Sequence, residues 1–160
     1  MVLAQRKVIL LLGSLLLPQL VGTVGALFTF PAIASWYVYL EKPFLSPPNW
    51  IFGPVWTSLY LMMGLSFYLV ITSKPTKYTS KAIQLFLLQM FFNLIWSIVF
   101  FGMQSTGGGL VVIIALWIAI FLTILKFSKI SRNASLLLLP YLAWVTFASY
   151  LNLSLFLLNS

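Results

Sequence analysis

Apolar residues run almost without interruption through five stretches of this chain, at about 8–30, 51–72, 82–103, 109–127 and 134–158, each near the ~20 residues a helix needs to cross a bilayer. Polar and turn-forming residues gather between them. Arg6 and Lys7 precede the first stretch, a proline- and aromatic-rich segment follows it, and Lys74, Lys77 and Lys81 separate the second from the third. Gly107-Gly108-Gly109 reads as a tight reversal before the fourth, and Lys126, Lys129 and Arg132 precede the fifth. The pattern predicts an all-α fold, an integral membrane five-helix transmembrane bundle that occupies 1–160 as one domain.

The first stretch also has the outline of a signal peptide, with Ala32-Ile33-Ala34 as a cleavage-like site. An h-region is only about 7–15 residues, however, and the run from Val8 to Phe30 exceeds that, so a retained helix is expected. Pro18, Gly13, Gly22 and Gly25 are compatible with a spanning helix, with a local kink expected near Pro18. Gly22 and Ala26, four residues apart, suggest a small-residue contact across a dimer face.

Composition sharpens this picture. Of 160 residues, 62% are hydrophobic, 17% aromatic and 6% charged, whereas a soluble domain is about 45–50% apolar and about 25% charged. There is no Cys and no His, and Glu41 is the sole acidic side chain. Disulfides, zinc sites, imidazole ligation of haem, Ser-His or Cys-His catalysis and paired-carboxylate chemistry are thereby excluded within one chain, and no metal site is expected. A net charge of +8 is in itself compatible with a nucleic-acid partner. With a cytoplasmic N-terminus, however, eight of the nine cations fall on that side and only Lys42 on the other, so the charges are orientation signals and no nucleic-acid partner is expected. The expected topology is N-terminus cytoplasmic and C-terminus outside. Without an organelle transit extension, a bacterial membrane is expected.

Polar and aromatic groups recur at helical spacing in three stretches: Trp56, Tyr60 and Gly64; Gln89, Asn93 and Ser97 with Trp96; and Tyr141, Trp144, Ala148 and Asn152. These stripes should face inward, since amides and hydroxyls lack partners in lipid. They allow two readings: hydrogen bonds that tie helices together, or a ring-lined cavity oriented by a few amides and suited to flat aromatic ligands. Between the first two stretches, Pro31, Pro43, Pro47 and Pro48 alternate with Trp36, Tyr37, Tyr39 and Phe44. This predicts a stiff, extended loop, serving either as a lid or as an interfacial aromatic belt.

The string Trp36-Tyr37, Leu40, Lys42-Pro43, Pro47-Pro48, Trp50, Phe52, Pro54-Val55-Trp56, Leu59-Tyr60 and Gly64 closely resembles the signature of the translocator protein family, the tryptophan-rich sensory proteins or peripheral benzodiazepine receptors. Gln89, Asn93, Trp96-Ser97 and Phe100-Phe101-Gly102 look like that family's third helix, and Pro140-Tyr141-Leu142, Trp144, Phe147-Ala148 and Leu151-Asn152 like its fifth. The resemblance implies a five-helix bundle, often a homodimer, that binds porphyrins and other flat lipophilic ligands beneath its first loop and acts in tetrapyrrole homeostasis or stress regulation. Tyr37, Pro47, Trp56, Gln89, Asn93, Trp144 and Ala148 fall where the family lines its pocket, and Tyr60 joins them on the face of Trp56. No cofactor is implied; porphyrin or haem is implied as ligand. Photo-oxidative porphyrin degradation with Trp56 as electron donor, or facilitated ligand transport, are the alternatives. No cation follows Tyr150, so the family's sterol-associated pattern is incomplete, which argues against sterol handling.

Overall fold

The computed structural model describes residues 2–160. Five helical segments are long and apolar enough to cross a membrane: Ala4–Ser35, Asn49–Ile71, Thr79–Gly102, Thr106–Phe127 and Arg132–Leu158. Among the described residues there is no β-strand. The chain is a multi-pass membrane protein whose helices are α1 (Val2–Ser35), α2 (Phe52–Ile71), α3 (Thr79–Ser97), α4 (Thr106–Phe127), α5 (Arg132–Leu137) and α6 (Leu139–Leu158).

At 34 residues α1 is longer than the expected 8–30 and reaches about 51 Å, well beyond a ~30 Å hydrocarbon core. It continues through both Pro18 and Pro31, so Pro31 belongs to the helix rather than to the loop. Pro18 has no N–H to offer the carbonyl of Ser14. That carbonyl turns to α2, where a Cβ at Gly64 would stand 2.7 Å from Ser14 O and 2.7 Å from Leu15 Cα. Only glycine permits this approach, and α1 and α2 run antiparallel along it.

Three other boundaries differ from the hydropathy reading. The reversal between α3 and α4 is made by Met103, Gln104 and Ser105, with Gln104 at φ 53°. Gly107, Gly108 and Gly109 lie instead in the first turn of α4, capped by Ser105, whose Oγ accepts from Gly108 N at 3.1 Å. Their role is close approach: a Cβ on Gly109 would stand 2.7 Å from the Phe100 ring and 3.0 Å from Asn152 Oδ1. The end of α3 widens into a π-turn over Ile98–Gly102, closed by Met103 N donating to Ile98 O at 2.8 Å. The fifth span breaks at Leu138, because Pro140 cannot donate to the carbonyl four residues before it, giving α5 and then α6. The first loop is not uniformly extended either. It holds two 3-10 turns, Tyr37–Tyr39 and Asn49–Ile51, with Pro48 extended between them at φ −56°, ψ 142°.

The half of the bundle that carries the α2–α3 and α4–α5 connections is densely filled. Phe86 stacks between Phe67, centroids 4.4 Å apart, and Phe127, 5.9 Å apart, and Met63, Leu116, Ile120 and Val145 close the space around them. Lipid supplies no hydrophobic drive between helices, so this interdigitation and a few internal hydrogen bonds hold the spans together. The other half, beneath the first loop, is rich in Trp and Tyr and less completely filled.

Candidate functional site

Near the start of α2 the sequence Phe52-Gly53-Pro54 sets the helix direction, Pro54 being tolerated in a first turn whose N–H groups have no intrahelical partner. One turn later Trp56 stacks on Tyr60, centroids 5.5 Å apart and planes 29° apart. Trp56 also meets Trp96 of α3 at 6.4 Å and the edge of Tyr141 of α6 at 6.2 Å. The array continues from Trp96 to Phe100 at 5.3 Å, from Phe100 to Phe101 at 4.8 Å, and from Phe101 to Tyr37 at 6.0 Å. Both rings lie in the π-turn, Phe100 buried in the core and Phe101 half-buried at the cavity against Tyr37.

Opposite these rings α1 presents its small residues. Gly22, Gly25, Ala26 and Thr29 share one face of the helix. A Cβ on Gly22 would overlap the Tyr60 ring, and one on Gly25 would stand 3.0 Å from Ser97 Oγ. The result is a cavity of about 250 Å³ between α1, α2 and the end of α3, lined by Trp56, Tyr60, Trp96, Phe101 and Tyr37 on one side and by the small face of α1 on the other. Gln19 closes one end by donating to Thr57 O at 3.2 Å. Thr23, Phe30, Gly53 and Thr57 line the cavity yet remain exposed, so it opens sideways along the α1–α2 cleft. Gly22 and Ala26 border this cavity, Gly22 packed on the Tyr60 ring of the same chain.

Of the candidate ligand residues read from the sequence, Tyr37, Trp56 and Tyr60 line this cavity, together with Trp96 and Ser97 of the second stripe. Asn93 stands behind the Tyr60 ring as a junction of three helices, accepting from Tyr60 Oη at 2.8 Å and donating through Nδ2 to Tyr141 Oη at 3.0 Å. Gln89, one turn away, is buried; its Nε2 reaches only Met63 Sδ, at 4.0 Å, and its Oε1 has no protein partner. Trp144 packs edge-on against Phe52, centroids 6.1 Å apart, and its buried Nε1 also has no protein partner. Ala148 is buried in the core and Pro47 is half-buried in the first loop; neither borders the cavity. Asn152, from the third stripe, accepts from Trp96 Nε1 at 3.1 Å and donates to Thr106 O at 2.7 Å, locking α3, α4 and α6 around the ring array.

The loop is fastened over this end. Asn159, just past α6, accepts from Glu41 N at 2.9 Å and donates to Glu41 O at 3.0 Å. The Lys42 ammonium lies over the Tyr37 ring, 4.8 Å from its centroid, and donates to Val38 O at 3.5 Å. Burial pushes the Tyr37 phenol above its ordinary range, so it remains a neutral hydroxyl at physiological pH. The site thus combines stacking faces, a small-residue floor and a few neutral polar groups, with no titrating acid–base pair. Gly25, Ala26, Thr29, Phe52 and Phe101 are lining residues that the stripe analysis did not select; the small face of α1 was visible at helical spacing, but nothing in α1 alone says what it faces.

Comparison with known proteins agrees with this architecture. The family model described as TspO/MBR family matches residues 14–158. A protein of Archaeoglobus fulgidus named Tryptophan-rich protein TspO is 44% identical over 154 residues, covering 96% of this chain and 99% of that protein. A protein of the same name from Chlorobaculum tepidum is 50% identical over 141 residues, covering 87% and 89%. The human protein named Translocator protein is 37% identical over 144 residues, covering 88% and 85%.

Proposed function

The chain belongs to the TspO/MBR family, and on that premise we propose that it is a membrane receptor for porphyrins and other flat lipophilic ligands, acting in tetrapyrrole homeostasis or stress regulation. The observation that carries this reading is the facing of the Trp56–Trp96–Phe101–Tyr37 wall by the small side chains of α1. A flat ring system gains offset stacking on such a wall, about 0.5–1.5 kcal/mol per aromatic pair beyond area burial. Ala26 and Thr29 border a slot rather than a bowl, with Gly22 and Gly25 beside it packed directly on Tyr60 and Ser97, which selects for thinness. Thr29, Asn49 and Ser97 give the slot a few polar edges, and Lys42 is near enough to Tyr37 to meet an anionic substituent at the loop end.

The cavity volume of about 250 Å³ falls just under the ~300–1,000 Å³ typical of ligand sites. A macrocycle therefore enters by displacing a wall. Rotation of Trp56 and Tyr60 away from the core would bring Asn93, Gln89, Trp144 and Ala148, which stand beyond them, into the enlarged site. In this reading the N-terminus is cytoplasmic, following the positive-inside bias, and the protein works as a homodimer.

A titration of the purified protein in lipid nanodiscs with protoporphyrin IX, followed by quenching of tryptophan fluorescence, tests the reading. Saturable quenching that a flat competitor reverses and a bulky non-planar one does not is expected. Quenching that rises linearly with pigment, as for partition into lipid, would overturn it.

A second reading, light-driven oxidation of the bound porphyrin by dioxygen, in which the excited pigment takes an electron from Trp56 and passes it to dioxygen, is favoured by one observation: Trp56 touches Tyr60, Trp96 and Tyr141, a relay of oxidisable rings leading from the cavity into the core. Loss of the main porphyrin absorption band on illumination, with a discrete product that disappears in Trp56→Phe, would distinguish it from binding alone.

A further inference from the structure

Eight of the nine Lys and Arg side chains lie at one end of the bundle, near the start of α1 and in or beside the α2–α3 and α4–α5 connections, while the only acidic side chain, Glu41, is in the loop at the other end. An orientation signal needs cations in these connections. It does not need two of them, from different connections, to meet on one ring. Yet the Lys77 ammonium, from the α2–α3 connection, stands 5.3 Å from the centroid of Tyr78, and the Lys126 ammonium, from the last turn of α4, stands 5.6 Å from the same centroid.

Each ammonium is attracted to the ring face, and the two repel each other. No acidic side chain is available at this end to offset that repulsion. Tyr78 is half-buried beneath the pair, its backbone N held by Thr76 Oγ1 at 3.2 Å. It is also the N-cap position of α3, where no side chain caps the helix, so the positive end of the α3 dipole points to the same place. The position is immediately outside the span that begins at Thr79, the level at which lipid headgroups lie.

We infer that Lys77, Lys126 and Tyr78 form a binding site for the phosphate of an anionic phospholipid in the leaflet at this end of the bundle. Both ammonium groups are offered to the phosphate oxygens beside the ring, and the acyl chains lie against exposed apolar side chains of α3 and α4 such as Leu87, Phe91, Leu122 and Leu125. A phosphate that meets both ammonium groups ties the α2–α3 connection to the end of α4 and offsets their like charge.

The test compares binding of dihexanoyl phosphatidylglycerol, dihexanoyl phosphatidylcholine and inorganic phosphate to the full-length protein in mild non-ionic detergent, by native mass spectrometry. The wild type is set against the K77Q/K126Q double variant and against K7Q/K129Q, which removes the same charge from exposed positions away from Tyr78. Phosphatidylglycerol should bind in preference to phosphatidylcholine, and K77Q/K126Q should weaken it by about thirtyfold, as expected for two cations at about 1 kcal/mol each, with K7Q/K129Q changing it little. Equal weakening by both double variants would reduce the effect to general surface charge and overturn the site. Inorganic phosphate binding as tightly as the lipid, with the same sensitivity to K77Q/K126Q, would overturn the lipid as occupant. No difference among the three proteins would overturn both.

Discussion

Tyr60 and Asn93 face each other across α2 and α3 with the phenol donating to the amide oxygen at 2.8 Å, and the same amide donates onward to Tyr141 at 3.0 Å. One asparagine thus fixes a tyrosine that walls the cavity and a tyrosine wholly buried in the core. Replacing Asn93 by Leu leaves both hydroxyls without this partner. At about 0.6–1.7 kcal/mol for each interhelical bond, N93L should lower stability by about 1–3 kcal/mol and Y60F by about half that, measured by unfolding in mixed micelles. A double variant N93L/Y60F close to N93L alone would show that the two act as one unit.

Gly13 and Gly64 provide a contrast within a single pair of helices. A Cβ on Gly13 meets nothing within 4 Å, whereas one on Gly64 would stand 2.7 Å from the backbone of both Ser14 and Leu15. Gly13→Ala should be neutral or stabilising by up to about 1 kcal/mol. Gly64→Ala should force α1 away from α2 and lower the midpoint of thermal unfolding; the two midpoints, measured side by side, decide the matter.

The Asn159 side chain spans the gap between the end of α6 and Glu41 of the first loop with two hydrogen bonds. Asn159→Leu should release the loop while leaving the bundle intact. Hydrogen exchange over residues 36–51 should speed up about tenfold or more, and exchange in α3 and α4 should stay as it was.

The pH dependence should be nearly flat near neutrality. The chain has no His and no Cys, and the phenol of Tyr37 is raised by burial above its ordinary value of about 10. Because the raised form is the protonated one, the loop contribution is fully present below about pH 10 and is lost as pH climbs through the folded-state value. Porphyrin affinity measured at constant ligand ionisation should therefore change little between about pH 6 and 9, and the loop's exchange protection, after correction for the intrinsic pH dependence of amide exchange, should fall only in alkaline buffer.

The five spans were legible in the sequence because hydropathy and length alone define them, and the inward stripes were legible because a polar atom in lipid has few places to go. Tyr60, Asn93, Tyr141 and Asn152 all sit where that argument puts them. Less legible was the facing of apolar positions. In a membrane protein both the core and the outer surface are apolar, so nothing in α1 marked Gly22 and Ala26 as cavity residues. Their orientation is set by Tyr60, 38 positions on from Gly22, a pairing that helical spacing within one segment does not reveal. Gly107, Gly108 and Gly109 were misleading for a related reason: the chemistry of a turn and that of close helix approach both call for glycine, and the choice was made by Ser105 as cap and Phe100 as neighbour.

The central claim is that flat ligands occupy the slot between α1 and the Trp56–Trp96 wall. Its most direct test is the equilibrium affinity for protoporphyrin IX in nanodiscs of the wild type, Trp56→Leu, and Ala26→Phe, the last of which fills the slot from the α1 side without touching the Asn93 network. Both variants should keep their helical circular dichroism and lose at least about tenfold in affinity, about 1.4 kcal/mol. Folded variants that bind porphyrin as tightly as the wild type would contradict the account.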